Sequence, residues 1–264
     1  MGVKQNKVTV IKIGGATLGS HDTTIEDIVR LQQQGKSLVV VHGGGKIITE
    51  WLARHGVDTK FVRGERVTDR ATLEVATAVL AGLTNKEIVA EINNSGGRAV
   101  GISGVDGALI QSKIKNRELG YVGEVVKVEV GLLETLLWAG YVPVVSPVGL
   151  HSLDRPAEAP QVLNINADIV AGDIAAAIGA ERLVFLTDVA GVCDQSGKLL
   201  PRLSSCEAEA LVASGVASGG MIPKIKACVR ALTANAETCI IDGRQPHALL
   251  REIEGQGTGT TIYK

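Results

Sequence analysis

Two lysines near opposite ends of the chain stand close to paired glycines. Lys12 precedes Gly14-Gly15 in the segment VTVIKIGGATLG, and Lys224 follows Gly219-Gly220 in SGGMIPKIKA. A third cluster, Gly43–Gly45, comes directly after the apolar run VVVH. Glycine lets backbone N–H groups approach an anion closely, and a lysine ammonium can reach the same anion. The pattern predicts a polyphosphate site in which charge is stabilised during phosphoryl transfer.

Two common phosphate-binding loops are excluded by their spacing. A Walker A loop needs Ser or Thr after its Gly-Lys pair, but Gly45-Lys46 is followed by Ile47. A dinucleotide fingerprint needs G-x-G-x-x-G, and none of the glycine clusters has that spacing. The phosphate ligand must therefore be held by another arrangement of glycines and lysines.

Composition narrows the class of protein. The 264-residue chain has a net charge of −1 and 3% aromatic residues, which disfavours nucleic-acid binding through a basic field or base stacking. Apolar runs stay below the roughly 18 residues of a membrane span, and the N-terminal segment lacks a signal-peptide core. Cys193, Cys206, Cys228 and Cys239 show no C-x-x-C spacing. We expect a cytoplasmic protein with reduced thiols, no nucleic-acid or membrane partner and no protein-bound metal.

Short β-branched runs alternate with longer segments of helical periodicity. The predicted strands are Val8–Ile13, Ser37–Val41, Ala99–Ile102, Val142–Ser146, Leu183–Leu186 and Thr238–Ile241. The predicted helices cover 22–34, 46–55, 70–82, 84–95, 130–139, 166–179, 205–214 and 224–236. Continuous apolar runs suit strands covered on both faces, and βαβ alternation favours a parallel sheet. The predicted fold class is α/β, a three-layer α/β/α sandwich with a mainly parallel central sheet, and 119–130 reads as an exposed antiparallel hairpin.

The chemistry-bearing glycines fall where predicted strands end. Gly14 follows the first strand, Gly43–Gly45 the second and Gly104 the third. Ligands of open α/β sheets bind beyond the carboxyl ends of the strands. We expect the three clusters to meet at one rim of the sheet, although each alone is also compatible with a simple tight turn.

Seven motifs stand in one order along the chain: VIKIGG, VVVHGGG, GERVTDRATLE, GISGVDG, LNINAD, LTDVAGV and GGMIPK. Together they resemble the amino acid kinase family, and within it the acetylglutamate kinases of arginine biosynthesis, from about Val8 to Thr260. The resemblance implies ATP-dependent phosphorylation of the side-chain carboxylate of N-acetyl-L-glutamate, with Mg²⁺ carried by the nucleotide. It also implies a single domain over 1–264, with a lobe at 1–179 for the amino acid and the dimer contact and a lobe at 180–264 for ATP.

The resemblance assigns roles to individual residues. Lys12 and Lys224 match the lysines that reach the transferring phosphoryl group, and Asp168 matches the carboxylate that holds both. Arg66 matches the arginine that binds the substrate's α-carboxylate. The other implied substrate contacts are Gly44, Gly45, Asn164 and Asn166. The implied nucleotide contacts are Gly14, Gly15, Asp188, Val189, Ala190, Gly191, Val192, Cys193, Val216, Ala217 and Ser218.

Residue chemistry supports some of these roles independently. Lys12 in an apolar strand is costly unless it faces a ligand or partner. Lys224 early in a helix opposes the helix dipole unless an anion lies beyond the terminus. Asn164, Asn166 and Asp168 alternate, so an extended segment would place all three on one face. Asp168 is equally compatible with a helix N-terminal residue, and the two roles can coexist.

Two other functions remain open at this point. One is phosphorylation of aminoadipate attached to a carrier protein, a reaction of lysine biosynthesis; the spacing from Gly45 to Arg66 favours the acetylglutamate enzymes. The other is a non-catalytic sensor, which would be expected to have lost Lys12, Lys224 or Asp168. The family more often has an apolar residue where Glu65 stands.

Regulation is inferred from the ends of the chain. Arginine-inhibited relatives carry an additional N-terminal helix, whereas eleven residues precede Lys12. The segment HALLREIEGQGTGTT retains His247, Glu252 and Gly255, which resemble part of an arginine site. We expect a homodimer that millimolar arginine does not inhibit.

Overall fold

The computed structural model describes residues 7–14, 23–62 and 64–264. Gly15 and the first residue of the predicted helix 22–34 lie outside the described residues. The strands are β1 (Val8–Ile13), β2 (Ser37–His42), β3 (Phe61–Val62), β4 (Glu65–Arg66), β5 (Ala99–Gly104), β6 (Ile110–Ile114), β7 (Gly123–Val128), β8 (Val142–His151), β9 (Val162–Asn164), β10 (Arg182–Thr187), β11 (Arg202–Ser204), β12 (Glu237–Asp242) and β13 (Thr260–Tyr263). The α-helices are α1 (Thr24–Gln33), α2 (Gly45–Arg54), α3 (Arg70–Thr77), α4 (Asn85–Asn94), α5 (Gly131–Trp138), α6 (Ala167–Ile178), α7 (Ser205–Ala213), α8 (Met221–Leu232) and α9 (Ala248–Ile253).

Within the described ranges, eleven strands form one sheet. Its main path is β11-β13-β12-β10-β1-β2-β8-β6-β7, and β5 and β9 also pair with β8. The central pairs β10–β1, β1–β2, β2–β8 and β5–β8 are all parallel. Antiparallel pairs occur at β6–β7, β8–β9 and β12–β13. The prediction of a mainly parallel sheet is therefore confirmed.

Two hydrophobic clusters cover the opposite faces of this sheet. Val39, Val41 and Phe185 belong to the cluster formed with α5, α6, α7 and α8. The alternate residues Val40 and Leu186 belong to the cluster formed with α1, α4 and α9. Successive strand residues point to opposite faces, so each buried strand contributes to both layers. The predicted three-layer α/β/α sandwich is confirmed.

The strand order reverses beside β1. From β1 the chain proceeds through β2 to β8 on one side of the sheet, and it resumes at β10 on the other side. Such a reversal opens a crevice at the carboxyl ends of the two neighbouring strands. Lys12 therefore lies on a strand that borders a topological switch point.

All six predicted strands are present, but several helix and hairpin boundaries differ. The segments predicted as two helices over 70–95 form one continuous helical stretch, in which a π-helical turn at Ala78–Thr84 joins α3 to α4. Helix α8 begins at Met221 rather than residue 224, because a proline in the first turn loses no intrahelical hydrogen bond.

The predicted hairpin at 119–130 is wrong in one respect. This segment supplies one strand, β7, whose antiparallel partner is β6. The sequence of β6, IQSKI, is too polar and short to be recognised as a strand. The sequence also does not predict six other short elements, because segments of two to six residues carry little periodicity. These elements are β3, β4, β9, β11, β13 and α9.

Candidate active site

A buried carboxylate between two ammonium groups forms the centre of the site. Lys12 Nζ lies 2.7 Å from Asp168 Oδ1, and Lys224 Nζ lies 3.0 Å from Asp168 Oδ2. The side chains of Lys12, Asp168 and Lys224 are 8%, 7% and 13% exposed. Two cations against one anion leave an excess positive charge in a poorly solvated place. Such a cluster is suited to receive an anionic ligand.

Opposing effects determine the ionisation of Asp168. Burial by itself would raise the pKa of this carboxyl group. The charges of Lys12 and Lys224, together with their hydrogen bonds, outweigh burial and hold the pKa below its ordinary value. Asp168 is therefore a carboxylate at neutral pH, and it keeps both ammonium groups in place.

Helices α6 and α8 bring Asp168 and Lys224 together. Both residues lie in the first turn of their helix. A Cβ atom at Gly172 of α6 would lie 2.8 Å from the Cα atom of Ala227 of α8, so only glycine permits this approach of the two helices. The close packing places the ammonium of Lys224 within reach of the Asp168 carboxylate.

The three polar residues of LNINAD lie in two elements rather than one extended segment, and the helix predicted over 166–179 is confirmed as α6. Asn164 ends β9, whereas Asn166 caps helix α6. The Asn166 side-chain oxygen accepts the N–H groups of Asp168 and Ile169 at 2.8 and 3.4 Å. Asp168 is therefore helical. The cap nevertheless turns the chain so that Asn164, Asn166 and Asp168 line the same cleft.

This cleft has a volume of about 220 Å³ and begins at the lysine–aspartate cluster. The glycine-rich end of β2 and the end of β1 meet at this cleft as expected, whereas Gly104 at the end of β5 packs against Val148 and Ile110 and is not part of the lining. The lining residues are Lys12, Gly43, Gly44, Gly45, Ile48, Phe61, Gly64, Glu65, Arg66, Leu80, Val122, Pro147, Asn164, Ile165, Asn166, Ala167 and Asp168. Positive charge from Lys12 and Arg66 combines here with two amide side chains and several apolar side chains. The cleft can therefore hold a small molecule that carries two anionic groups.

Arg66 is positioned by a short hairpin and by the start of helix α2. Its Nη2 donates to Gly45 O at 2.8 Å and to Thr49 Oγ1 at 2.9 Å. The guanidinium carbon lies 4.9 Å from the centroid of the Phe61 ring. These contacts fix the plane of the guanidinium at the cleft, where its positive charge attracts a carboxylate.

Gly44 and Gly45 lie at the N-terminus of helix α2 in the wall of the cleft. A Cβ atom at Gly44 would lie 2.8 Å from Leu80 Cδ2, so a larger residue there would require the Leu80 side chain to move. Gly44 has an extended φ of 177°, and its requirement for glycine is therefore steric rather than conformational. The first N–H groups of a helix have no intrahelical acceptor, and they favour an anion.

Glu65 forms an ion pair with Lys115. Both of its carboxylate oxygens lie 2.8 Å from Lys115 Nζ, and the pair borders the cleft beside Arg66. The ion pair with Lys115 thus accommodates an acidic side chain at this position. Sequence patterns gave no signal for Phe61, Leu80 or Lys115, because their roles depend on contacts between distant segments.

The segments predicted to contact the nucleotide lie outside the lining of this cleft. Asp188, Val189 and Ala190 are exposed residues that follow β10, next to β1 in the sheet. The loop is fastened by Val192 N–H, which donates to Thr260 Oγ1 at 2.8 Å. The segment 216–218 immediately precedes α8 and therefore Lys224. Gly14 follows β1 and donates its N–H to Leu186 O at 3.0 Å.

The segment that resembles part of an arginine site is engaged with the rest of the protein. His247 Nδ1 lies 2.7 Å from Asp27 Oδ1, and Leu250 N–H donates to Asp27 Oδ2 at 3.2 Å. The carbonyl oxygen of Glu252 accepts a hydrogen bond from Arg182 at 3.0 Å. These bonds fasten α9 to α1 and β10, and the expectation about arginine stays a prediction.

The remaining composition-based expectations concern thiols, metals and membranes. All four cysteines are free, and burial raises the pKa of the Cys228 thiol to about 12, so it is unreactive. In the part of the chain that the structure describes, no group of three or more His, Cys, Asp or Glu could hold a metal ion. Among the helices of that part, none is long and apolar enough to cross a membrane.

Comparison with known proteins agrees with the fold. The amino acid kinase family profile matches residues 7–242. An acetylglutamate kinase from Dehalococcoides mccartyi strain CBDB1 is 51% identical over 97% of this chain and 94% of its own length. An acetylglutamate kinase from Nostoc sp. strain PCC 7120 is 48% identical over 97% of this chain and 87% of its own. The crystal structure of smu.665 from Streptococcus mutans UA159 superposes with a TM-score of 0.81 at 26% identity, covering 97% of this chain and 98% of that one. This chain belongs to the amino acid kinase family.

Proposed function

We propose that this kinase uses ATP to phosphorylate the side-chain carboxylate of N-acetyl-L-glutamate in arginine biosynthesis. The observation that carries the proposal is the cleft that joins Arg66 at one side to the Lys12–Asp168–Lys224 cluster at the other. Acetylglutamate has two carboxylates, and these two positive centres would receive one each. The cleft volume of about 220 Å³ lies below the roughly 300–1,000 Å³ of drug-sized ligand sites, which suits an amino-acid derivative.

Binding of the amino acid is assigned to residues of the cleft. Arg66 would bind the α-carboxylate through its guanidinium fork, for which Nη2 would exchange a bond to Gly45 O or Thr49 Oγ1 for one to the ligand. The amides of Asn164 and Asn166 would hydrogen-bond the acetamido group and the chain, and the N–H groups at Gly44 and Gly45 would receive anionic oxygens. The Asn166 side-chain oxygen already accepts two backbone N–H groups, so its free NH₂ is the part available to a ligand.

The chemical step requires alignment and neutralisation rather than proton removal. A carboxylate with a pKa near 4.3 is ionised at neutral pH, so its oxygen can attack the γ-phosphorus without a general base. One P–O bond forms to the carboxylate, the bond between the γ-phosphorus and the bridging oxygen breaks, and ADP leaves with the electron pair. Lys12 and Lys224 would stabilise the charge on the transferring group, and Asp168 would hold both lysines in position.

The nucleotide is assigned to the other half of the molecule. We propose that 1–179 binds the amino acid and that 180–264 binds ATP, with Asp188–Cys193 and 216–218 as nucleotide contacts. The exposed Val189, the position of Asp188 directly after β10 next to β1, and the position of 216–218 shortly before α8 support this assignment. Mg²⁺ would arrive with the nucleotide and would supply further positive charge to its phosphates. Leu80 leaves little room for a side chain at Gly44. We therefore propose that the backbone of this glycine, rather than a side chain, faces the phosphate.

A trapping assay tests the proposed reaction. Purified protein with Mg-ATP and N-acetyl-L-glutamate should form an acyl phosphate that hydroxylamine converts to a hydroxamate, together with stoichiometric ADP. Free glutamate, aspartate and aminoadipate should react much more slowly, because an ammonium group replaces the acetamide that the cleft accommodates. A higher kcat/KM for any of these three would overturn the assignment.

The proposed enzyme is a cytoplasmic homodimer. The four free thiols fit a reducing compartment. Light scattering should report twice the 27.5 kDa chain mass, and a monomer or a hexamer would contradict the proposal.

A further inference from the structure

His42 is a buried histidine directly behind the glycine-rich wall of the cleft. It is the last residue of β2, and its side chain is inaccessible to solvent. His42 Nδ1 lies 2.9 Å from Gly43 O, and His42 Nε2 lies 3.2 Å from Asn85 Nδ2. The imidazole therefore joins the glycine turn to the first residue of α4.

The partners of Asn85 determine which imidazole nitrogen carries the proton. Asn85 Nδ2 also lies 2.9 Å from Val144 O and 3.3 Å from Ile102 O, which are carbonyl acceptors. Asn85 Oδ1 accepts from Lys86 Nζ at 3.0 Å. The atom that faces His42 is therefore the amide NH₂, so His42 Nε2 must accept and can carry no hydrogen. A neutral imidazole then has its hydrogen on Nδ1, which donates to Gly43 O.

The surroundings also keep this imidazole neutral. Burial is the largest effect that lowers the pKa of His42, and the charges of Lys12 and Lys86 lower it further. These effects outweigh the hydrogen bond to Gly43 and bring the pKa to about 4. At neutral pH the pair Nδ1–H and bare Nε2 is therefore the stable form.

The hydrogen bond from His42 to the Gly43 carbonyl also orients the N–H group of the next residue, Gly44. The Gly43–Gly44 peptide is trans, as are all described peptide bonds, so the Gly43 carbonyl and the Gly44 N–H point in opposite directions. The hydrogen bond to His42 holds the Gly43 carbonyl on the buried side. The Gly44 N–H is therefore turned the other way, toward the cleft that Gly43–Gly45 line. Among the described residues, no protein acceptor receives the Gly44 N–H.

We infer that His42 is a positioning residue for phosphoryl transfer, because its Nδ1–H bond to the Gly43 carbonyl aims the Gly44 N–H at the anion in the cleft. This inference rests on the proposed function, in which that anion is the transferring phosphoryl group or the carboxylate that attacks it. Asn85 acts one step further away, by selecting the tautomer that makes the bond. Neither residue touches the substrate.

Two substitutions separate the hydrogen bonds of the imidazole. In His42→Asn, the side-chain NH₂ takes the place of Nδ1 and can still donate to Gly43 O. In His42→Gln, the side-chain amide reaches the place of Nε2 instead and loses the bond to Gly43. We expect His42→Asn to keep kcat within about threefold of wild type, whereas His42→Gln should lose on the order of 10- to 100-fold, as expected for a misaligned hydrogen-bond donor. KM for N-acetyl-L-glutamate should change little in both.

Stability measurements distinguish positioning from support of the fold. Each substitution removes one hydrogen bond of the same buried side chain, so urea unfolding should give similar losses for both variants. A merely structural role would make kcat follow stability in both. Equal kcat values for the two variants, or a slower His42→Asn than His42→Gln, would overturn the inference.

A spectroscopic test requires neither variant nor turnover. Long-range ¹H–¹⁵N correlation spectra of histidine-labelled wild-type protein report which ring nitrogen carries hydrogen. The Nδ1–H tautomer should be seen for His42 from pH 6 to 8, and the Nε2–H tautomer or an imidazolium would contradict the inference. Because this measurement needs no substrate, it stays informative if the hydroxamate assay identifies another acceptor.

Discussion

At the scale of single residues, the site is defined by two positive charges that no carboxylate of the site neutralises. Asp168 neutralises one of the two ammonium groups beside it, so the cluster keeps an excess of one positive charge. Arg66 places a second positive charge at the other side of the cleft, where Phe61 and Thr49 fix its orientation. Both positive centres belong to one cleft, which suits the acceptor with two carboxylates that we propose.

Asp168→Asn removes charge while keeping the shape of the side chain. We expect kcat to fall on the order of 10²-fold or more, because the two lysines lose the carboxylate that positions them. The variant should also be destabilised by about 3–5 kcal/mol, since two ammonium groups lose their buried partner. Steady-state kinetics and urea unfolding measure both effects.

The same pair of helices offers a matched control for Asp168. Asp173 of α6 pairs with Arg230 of α8 at 2.9 Å, away from the cleft. Asp173→Asn should leave kcat near wild type, because it breaks a second, more exposed α6–α8 ion pair without touching the cluster. A similar loss of kcat in both variants would assign the effect to helix packing.

Arg66→Lys keeps the charge but removes the guanidinium fork. We expect KM for N-acetyl-L-glutamate to rise about 10- to 100-fold, the equivalent of a lost hydrogen bond to a charged group of about 1.5–3 kcal/mol, with KM for ATP near wild type. Thr49→Val removes one acceptor that orients Arg66 and should raise the same KM by a smaller factor. An equal rise of both KM values in Arg66→Lys would argue against a specific contact with the amino acid.

At the scale of elements, the N-terminus of α2 is shaped by the π-helical segment Ala78–Thr84. Leu80 in this segment packs against Gly44, and Asn85, immediately after it, binds His42. The widened turn therefore supports the glycine-rich wall at two points. Local widening of this kind is frequent at functional sites, and here it replaces the break that the sequence suggested between two helices.

The stabilities of alanine variants at Gly44 and Gly45 test whether Leu80 supports the glycine-rich wall. Gly44→Ala should destabilise the protein, because its Cβ would lie 2.8 Å from Leu80 Cδ2. Gly45→Ala meets nothing within 4 Å and sits in the first turn of α2, so stability should stay unchanged or rise by up to about 1 kcal/mol. Thermal or urea unfolding of both variants measures this contrast. If the two variants are equally stable, Leu80 yields easily and does not define the wall.

At the scale of the whole molecule, one continuous sheet carries both halves of the site. Lys12 and the glycines come from β1 and β2, while Lys224 is delivered by a helix that packs beside β10 and β12. Because the sheet is shared, the two lysines meet at the switch point without a separate hinge domain. Folding of the whole chain is therefore required to assemble the site.

The ionisation of His42 should also contribute to the pH dependence of folding. Its pKa is about 4 in the folded protein, against 6.5 for an unperturbed histidine. The unfolded chain binds the proton more readily, so the stabilisation is complete above pH 6.5 and is lost as the pH falls toward 4. The shift corresponds to about 3 kcal/mol. Urea unfolding between pH 7 and 4.5 should therefore show a steeper loss for wild type than for His42→Asn, and parallel curves would contradict the assigned burial.

The sequence alone determined the fold class, the central strands, the rim where glycines gather and the family. These features follow from local chemistry: β-branched runs of sheet length, glycines at strand ends and lysines that are costly without an anion. The tertiary structure decided the partners of those residues. Asp168 was identified from a motif, but its ion pair with Lys224 depends on the contact of Gly172 with Ala227 between helices distant in sequence. The tautomer of His42 depends in the same way on Asn85, Val144 and Lys86, which only the folded sheet brings together. Periodicity records which face of an element is buried, and it carries no information about which distant side chain lies there.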